Sequence, residues 1–461
     1  MTPFRRVAFL ALPLALLAFG RAATVTVGSV AELQSRIDAA APGDMIIVKN
    51  GRYATTAPIT VARAGAAGNP ITIAAEGIGS VELRGTHGFT VTKPAAHIVI
   101  RGFNFTHASG RTSIAGGTSH VRFSRNTFRC EGEGPYLTVT GDDAEIDYNE
   151  FRDKQTLGNM INVTGTGSQV ARNLHVHHNY FHDFANAHGN GAETIRFGLS
   201  GLSMSTGGGL VEHNLFVHCQ GENELISNKS CGNTYRFNTL VDSPGAQLTL
   251  RHGNDCLVYG NYFRNTEGLR IFGDRHQIFS NYFEGNSMGI NLGNGGAEVA
   301  DGAPLTSHDR PDNCVIAFNT LVDNRAHYVM SRRTPTALGA TGTTFANNLI
   351  QGGGVAAKID GPNAGARWSA NIVWQTGGAG DLPADGLAEV DPKLVKDSRG
   401  IYRPRPGSPA IDSAVGGYPA VNVDLDGQPR TMAKDKGADE VSSAPVKARM
   451  LAPEDVGPGA K

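Results

Sequence analysis

A short motif of an asparagine followed by apolar residues recurs along most of the chain. Each copy has Asn, one variable residue or none, and then Phe, Leu or a similar apolar residue, and the copies read FNFTHAS, SRNTFRC, DYNEFRD, HHNYFHD, EHNLFVH, RFNTLVD, YGNYFRN, FSNYFEG, AFNTLVD and ANNLIQG. The gaps between successive asparagines, from Asn104 to Asn371, run from 20 to 38 residues, and the shorter ones cluster near 22. The longer gaps indicate the same unit with a loop inserted.

A unit of this length, built from short strands, is typical of one coil of a parallel β-helix. Coils stack at the spacing of neighbouring strands, about 4.8 Å. Asparagines at the same position of successive coils can then form a ladder of hydrogen-bonded side-chain amides. They also tolerate the left-handed backbone conformation where the chain turns. A leucine-rich repeat has a similar period, but its fixed leucine spacing is missing. We therefore predict an all-β, single-domain, right-handed parallel β-helix in which these asparagines are structural.

The N-terminal end of the repeat carries a pattern that predicts a helical cap. After the strand TVTVGS, Ser29 and Glu32 form a capping box. Three apolar residues that follow share one helical face, Val30, Leu33 and Ile37. A short amphipathic helix here would cover the unpaired edge of the first coil.

The repeat stops near residue 375, where Pro and Gly become frequent in YRPRPGSPAIDSAVGGYP. This composition predicts an irregular C-terminal cap. We place the folded β-helix domain, with both caps, at residues 23–442. Residues 443–461 have the composition of a disordered tail.

The first residues predict an export signal. Arg5 and Arg6 precede an apolar run over residues 7–19, and Gly20-Arg21-Ala22 offers small residues for cleavage after Ala22, with Ala23 as the alternative. The run has 13 residues, too few to span a bilayer core of about 30 Å. We expect residues 1–22 to be removed and the protein to be periplasmic or secreted, without a membrane anchor.

Composition narrows the function classes. The 461 residues include 59 glycines and only 7% aromatics, which suits many short turns. Lys and Arg number 41 against 42 Asp and Glu, so no overall field favours nucleic acid or a membrane surface. An acidic substrate would have to meet a local basic cluster. We expect a monomer.

The cysteine pattern excludes a fully paired framework. The mature chain has an odd number of cysteines, with spacings that match no zinc pattern: Cys130, Cys219, Cys231, Cys256 and Cys314. One disulfide bridge is an alternative, but we favour the interpretation that most of these cysteines are small hydrophobic side chains buried in the core.

The stretch GENELISNKS, residues 221–230, concentrates charge on a chain that is 18% charged. Glu222 and Glu224 face the same side of a strand, and two such carboxylates repel unless a cation lies between them. They follow Asn214 by 8 and 10 residues, while Asn190 follows its own ladder residue by 11. These oxygen groups would suit calcium. A surface pair beside a solvated Asn is the alternative.

Lys229 and Arg251 are separated by 22 residues, one coil period, so the two cations can lie side by side on adjacent coils. Lys229 is an odd number of residues from both glutamates. A straight strand would put it on the opposite face, and a turn at Ser227-Asn228 must therefore bring it round. If only the spacing is considered, the alternative is that Lys229 and Arg251 are solvated charges on the surface of the β-helix.

Four ordered blocks carry a resemblance to a known family: NGAETIR, CQGENELISNKS, LTLRHG and GDRHQIFSNYFEG. In this order they resemble polysaccharide lyase family six, the chondroitinase B and alginate lyase family. The resemblance covers about residues 24–430 and is strongest over 188–285.

The resemblance implies a role for each matching position. It assigns Ca²⁺ binding to Asn190, Glu222 and Glu224. It makes Lys229 the Brønsted base and Arg251 the acid. Residues of the family's substrate groove match His252 and Arg275 of this sequence. Less specific matches to the same face are Glu193, Arg196 and Arg270. For these last three, a structural ion pair between coils is an equal alternative.

The activity implied is a calcium-dependent β-elimination on an anionic polysaccharide of 4-linked uronates, giving 4,5-unsaturated oligosaccharides. The balanced charge favours alginate, and dermatan sulfate remains the alternative. An arginine acid is chemically awkward because its pKa lies above about 12, so a water relayed by Arg251 or His252 competes for that role. A pectate lyase, a β-helix glycoside hydrolase with the two glutamates as acid and base, and a non-catalytic carbohydrate-binding β-helix are further alternatives.

Overall fold

Three long parallel sheets form the faces of a β-helix. The computed structural model describes residues 22–185, 189–333 and 337–461. The predicted export signal lies outside these residues, apart from Ala22. Each coil contributes one strand in turn to the sheets that we call I, II and III.

The bounds of the strands follow the coils in chain order. Sheet I contains Thr24–Val27, Met45–Val48, Ile71–Ala75, Ala96–Arg101, Ser119–Ser124, Glu145–Asp147, His175–His177, Leu210–Glu212, Thr234–Arg236, Leu257–Tyr259, Gln277–Phe279, Val315–Ala317, Thr344–Ala346 and Arg367–Ser369. Sheet II contains Gly51–Thr55, Val81–Gly85, Phe103–Phe105, Thr127–Phe128, Glu150–Lys154, Tyr180–Ala185, Leu215–Gln220, Thr239–Val241, Tyr262–Arg264, Tyr282–Glu284, Thr320–Val322, Leu349–Gln351, Asn371–Trp374 and Leu387–Glu389. Sheet III contains Ile59–Val61, Phe89–Val91, Ser113–Ile114, Leu137–Val139, Ile161–Val163, Ile195–Gly198, Glu224–Lys229, Gln247–His252, Leu269–Ile271, Ile290–Leu292, Tyr328–Met330 and Ala357–Ile359.

The remaining elements are short. Three two-stranded sheets pair Gly165–Thr166 with Gln169–Val170, Ala340–Thr341 with Asn363–Ala364, and Leu394–Lys396 with Tyr402–Pro404. The helices of the described residues are one α-helix, Val30–Ala39, and 3-10 turns at Ser200–Leu202, Ala384–Gly386 and Pro453–Asp455. The prediction of a single-domain all-β helix is confirmed. Within the described ranges, no helix has the length and apolar character needed to cross a membrane.

The asparagine ladder forms as predicted from Asn126 onward. Along it, each side-chain amide donates to the Oδ1 atom of the next asparagine at 3.0–3.1 Å. Asn104 does not belong to the ladder, because it pairs with Thr127 and so lies one residue out of phase. The left-handed turn also falls elsewhere than predicted, on the residue before each asparagine, such as His178 and His213.

Apolar side chains two residues after the ladder asparagines fill the interior. Phe151, Phe181 and Phe216 are fully buried and stack face to face, with ring centroids 4.7–4.9 Å apart. The five cysteines are all unpaired and buried, which agrees with their favoured reading as core residues.

Removing one ladder amide should destabilise the fold strongly. Asn238 is fully buried and bonds to Val211 O, to Asn261 Oδ1 and to both nitrogens of Asn214. Asn238→Ala leaves buried groups without partners, so we expect the free energy of unfolding to fall by about 2–4 kcal/mol. Denaturant unfolding measures the change. The exposed Asn422, whose side chain makes no hydrogen bond among the described residues, gives the matched control Asn422→Ala. Equal effects of the two substitutions would contradict the structural role.

The N-terminal cap is the predicted helix. The Ser29 side chain accepts a hydrogen bond from Glu32 N at 3.1 Å, and Leu33 and Ile37 are buried against the first coil. The Glu32 carboxylate accepts from Gly28 N at 2.8 Å, one residue before the position that a capping box would use.

The C-terminal segment 443–461 differs from the predicted disordered tail. It runs back over the corner between sheets I and II, where Gly457 N donates to His178 O at 2.9 Å and the Arg125 guanidinium donates to Pro458 O and Ala460 O. Val456 is buried beside Leu215. The composition suggested disorder because the segment has several Pro and Gly residues and no aromatic residue, but its backbone finds partners on the coils beneath it.

Candidate active site

The outward face of sheet III carries the predicted site on four consecutive strands. Side chains at one register position align across the coils and point away from the core: Arg196, Ser227, Thr249 and Arg270. Their neighbours at the preceding position are buried: Ile195, Ile226, Leu248 and Leu269. Polar groups from coils far apart in sequence therefore lie side by side on one surface.

Two β-bulges set the direction of the charged side chains. Glu224 pairs with Gln247 and Ile226 with Leu248, so the buried Leu225 is the extra residue in its strand. This extra residue reverses the alternation and brings Glu224 to the same face as Lys229. The expected turn at Ser227-Asn228 is wrong, since Glu224–Lys229 is one continuous strand.

The second bulge lies at the predicted acid. Asn228 pairs with Leu250, but Lys229 pairs with His252, so Arg251 is the extra residue on the next coil. As a result, Lys229, Arg251 and His252 come together at the end of two adjacent strands. Burial, reinforced by the charges of Arg251 and Lys229, lowers the pKa of His252 to about 3.

Three carboxylates form a compact cluster at the other end of these strands. One oxygen each of Glu193, Glu222 and Glu224 lies within 4.8 Å of the others. Glu222 accepts hydrogen bonds from Gly191 N at 2.5 Å and Ala192 N at 3.3 Å. Burial, reinforced by the charge of Glu193, raises the pKa of Glu222. A cation among the three would relieve this repulsion, and carboxylate oxygens are the ligands that hard divalent cations prefer.

A glycine permits the cluster to close. A Cβ atom on Gly221 would lie 2.2 Å from Ala192 O, so any other residue would push the 190–193 loop away from Glu222. Glu193 is only 1% exposed, and its second oxygen accepts from the Asn159 amide at 2.7 Å. Of the two expectations for Glu193, the structure shows the ion pair between coils, with Lys229, and it also places this carboxylate among the candidate cation ligands.

Basic side chains surround the carboxylates. Lys229 Nζ donates to Glu193 Oε1 at 3.2 Å. Arg251 Nε lies 3.5 Å from Glu224 Oε1, to which Arg270 also donates. Burial lowers the pKa of Arg251. The candidate base and acid are therefore in contact with the same acidic cluster.

Polar atoms without partners concentrate on two of these strands. On the strands Gln247–His252 and Leu269–Ile271, five buried side-chain atoms have no hydrogen-bond partner among the described residues: Gln247 Oε1, Thr249 Oγ1, Arg251 Nη1, His252 Nε2 and Arg270 Nε. Buried polar groups in native proteins are nearly always paired. Their grouping on one face indicates a surface arranged to bind a polar ligand.

The other predicted residues occupy the margins of this face. Asn190 is exposed next to Gly191, and in the described part of the chain its side chain makes no hydrogen bond to the carboxylates. Arg196 donates to Asn162 Oδ1 at 2.9 and 3.1 Å. Arg275 lies on the turn after sheet III and pairs with Asp255 at 2.8 Å. Among the described residues Arg275 makes ion pairs with Asp255 and Asp274 and none with the carboxylate cluster, so its predicted place in the groove stays a prediction.

A second acidic group on sheet I fits a metal less well. Glu145, Asp147 and His177 also bring ligand atoms within 4.8 Å of one another. However, Arg122 binds both oxygens of Asp147, at 2.8 and 2.6 Å, and His177 Nε2 lies 3.1 Å from Glu145 Oε1. The arginine already supplies the positive charge that a cation would bring.

Sequence reasoning missed two residues at the margin of this face, next to Phe272, on whose ring Arg270 also lies. Arg333 Nη2 donates to His308 Nδ1 at 2.8 Å, and the His308 ring packs on Phe272 with centroids 4.8 Å apart. Both residues lie on segments that follow sheet III strands, where the asparagine spacing lengthens to 38 and 29 residues. Those long gaps were the one available signal, because an insertion at this point must border the face of sheet III.

Comparisons with known proteins agree with this architecture. A family model described as chondroitinase B matches residues 27–334. No curated protein matches the chain.

Solved structures share the fold at low identity. The PL6 family alginate lyase AlyGC superposes with a TM-score of 0.75 at 23% identity, covering 93% of this chain and 60% of that one. A mannuronic acid specific family 6 lyase from human gut microbiota gives 0.68 at 24% identity, covering 80% and 91%. The PL6 lyase Pedsa3628 from Pseudopedobacter saltans gives 0.66 at 18% identity, covering 95% and 99%. The chain spans about 60% of the length of AlyGC.

Proposed function

The chain belongs to the chondroitinase B family, polysaccharide lyase family six, and from this premise we propose that it cleaves alginate by a calcium-dependent β-elimination. The observation that carries the proposal is the meeting, on one face of the coil, of a three-carboxylate cluster with Lys229 and Arg251. A lyase needs both parts, since one neutralises the uronate carboxylate and the other moves the protons.

Calcium fits the donor set of the cluster. Glu193, Glu222 and Glu224 would hold it, and Asn190 could add an amide oxygen if its side chain turned inward. When bound, calcium supplies a Lewis acid that neutralises the C6 carboxylate of the uronate and makes the C5 proton more acidic.

Lys229 is the proposed base. As the neutral amine it takes the C5 proton, while Glu193 at 3.2 Å holds the side chain in place. The electron pair left at C5 forms the double bond with C4 as the bond between C4 and O4 breaks. The base therefore acts on the same side of the groove as the cluster that binds the carboxylate.

Arg251 stabilises the negative charge that develops during elimination. Its Nη1 atom is buried and has no protein partner among the described residues, so it is available to the substrate. The leaving O4 takes a proton either from this guanidinium or from a water next to Arg251 or His252. The products are a new reducing end and a 4,5-unsaturated sugar at the new non-reducing end.

The choice of alginate rests on two considerations. Several structures with the same fold are described as alginate lyases, two of them as complexes with a trisaccharide and with G6. The chain also has nearly equal numbers of acidic and basic residues, whereas a sulfated polymer would favour an excess of basic residues. Dermatan sulfate is the second candidate because the matching family model is described as chondroitinase B. The predicted export signal fits a polymer substrate outside the cytoplasm.

A substrate panel tests the proposal. Polymannuronate, polyguluronate, mixed alginate and dermatan sulfate are each incubated with the purified protein and calcium. Ultraviolet absorbance then follows the conjugated double bond, which only elimination produces. We expect absorbance to rise with at least one alginate. A rise with dermatan sulfate alone would move the assignment to the second candidate, and binding without absorbance for every polymer would overturn the lyase assignment.

A further inference from the structure

His308 and Arg333 form a pair that borders the proposed site. The hydrogen bond of 2.8 Å between Arg333 Nη2 and His308 Nδ1 joins two segments that follow different strands of sheet III. The His308 ring is held from another side by Phe272, two residues after Arg270. Three elements thus fix the position of one half-buried imidazole.

The partner of Nδ1 determines where the ring proton lies. A guanidinium has only donors, so His308 Nδ1 must accept, and a neutral ring then carries its proton on Nε2. Nε2 has no hydrogen-bond partner among the described residues. His308 therefore presents a free N–H donor on the edge of the ring away from Arg333.

The surroundings keep this ring neutral. Burial lowers the pKa of His308 to about 3, and the charges of Arg251, Arg333 and Arg270 act in the same direction. Arg270 Cζ lies 5.6 Å from the centroid of the same Phe272 ring on which His308 packs, so the imidazole lies close to the basic part of the groove. A neutral donor there binds an oxygen without adding another repelling cation.

We propose that His308 is a substrate-binding residue whose Nε2–H donates to an oxygen of the uronate that contacts Arg251, and that Arg333 is the positioning residue that holds this tautomer. The inference rests on the proposed lyase function. Carboxylate and hydroxyl oxygens of a uronate are suitable acceptors, and Arg251 Nη1, which has no partner among the described residues, would donate to the same sugar.

Two substitutions at His308 separate hydrogen bonding from packing. His308→Phe keeps a ring against Phe272 but has no donor, whereas His308→Gln keeps a donor and an acceptor for Arg333. With the full-length protein, calcium and the uronan that it degrades, we expect His308→Phe to lower kcat/KM by about 10- to 100-fold, mainly through KM. His308→Gln should stay within about threefold of the wild type.

Arg333→Gln tests the positioning role through pH. Without the guanidinium, one of the charges that add to burial in lowering the pKa of His308 is lost, so that pKa should rise and the acid limb of the pH profile of kcat/KM should move to higher pH than in the wild type. Arg332→Gln removes a neighbouring exposed charge whose side chain makes no hydrogen bond or ion pair among the described residues, and it should leave the profile unchanged.

The outcomes distinguish this inference from the function on which it rests. Unchanged kinetics in His308→Phe, with an active wild type, would overturn the inference alone. If His308→Phe and His308→Gln lost activity and Tm equally, His308 would have only a packing role, and the inference would also be overturned. A wild type inactive on every uronan would overturn the proposed function together with the inference.

Discussion

Lys229→Met is expected to lower kcat by about 10³-fold, the range in which proton transfer by a positioned side chain contributes. Methionine has a similar length but no amine, so the C5 proton loses its acceptor. The substitution also removes the hydrogen bond to the buried carboxylate of Glu193. Initial rates of ultraviolet absorbance on the best polymer of the panel measure the loss, and calorimetry with calcium alone shows whether the cation site remains.

A lysine on the same sheet provides the matched control. Lys358 lies in the same outward row of sheet III, three coils beyond Arg270, and pairs with Asp360 at the surface. Lys358→Met removes an equal charge from the same face and should change kcat by less than about threefold, as expected for an exposed pair of small energetic value. If Lys229→Met kept more than a tenth of the wild-type kcat with its fold intact, the base would have to be another group.

Glu224→Gln is expected to weaken calcium binding by at least about 10- to 100-fold, because even residues that only support a metal ligand have effects of this size. The amide keeps the shape of the side chain but carries no charge to balance a divalent cation. It also leaves Arg251 and Arg270 without the carboxylate that they share. Activity should therefore be lost at low calcium and recovered only in part at high calcium.

Chelation of the wild type should give the same loss, reversed by added calcium. Glu212→Gln is the control, since Glu212 is another largely buried carboxylate paired with Arg236 and His175, but on sheet I. It should leave calcium affinity and turnover near wild-type values. Full activity of the wild type after exhaustive chelation, or of Glu224→Gln without added calcium, would remove the cation from the mechanism.

The fold was predictable because its cause is local and repeated. The motif recurs at a nearly constant spacing, and each copy buries one asparagine and one apolar residue, as Asn149 and Phe151 show. Stacking then follows from hydrogen bonding between equivalent positions. Asn104 shows where this reasoning fails, since it fits the motif but pairs one residue out of phase.

The chemical groups of the site were also visible in the sequence, because carboxylates, a lysine and an arginine at coil spacing belong to few kinds of site. Their direction was not. Alternation along a straight strand puts Glu224 and Lys229 on opposite faces, and the bulge at Leu225 reverses this. A bulge depends on how neighbouring coils pair, and that pairing does not exist in one strand taken alone.

What the sequence by itself determined is the repeat, the β-helix, the family resemblance and the set of residues that could bind a cation and move a proton. Only the tertiary structure decided that Glu193 is buried in the carboxylate cluster and that Arg275 pairs with Asp255 instead. It also decided that the hydrogen-bonded pair of His308 and Arg333 lies against Phe272, the ring that Arg270 also contacts. The physical reason is that periodic packing is set by residues one coil apart, whereas insertions fold against whatever surface their neighbours expose.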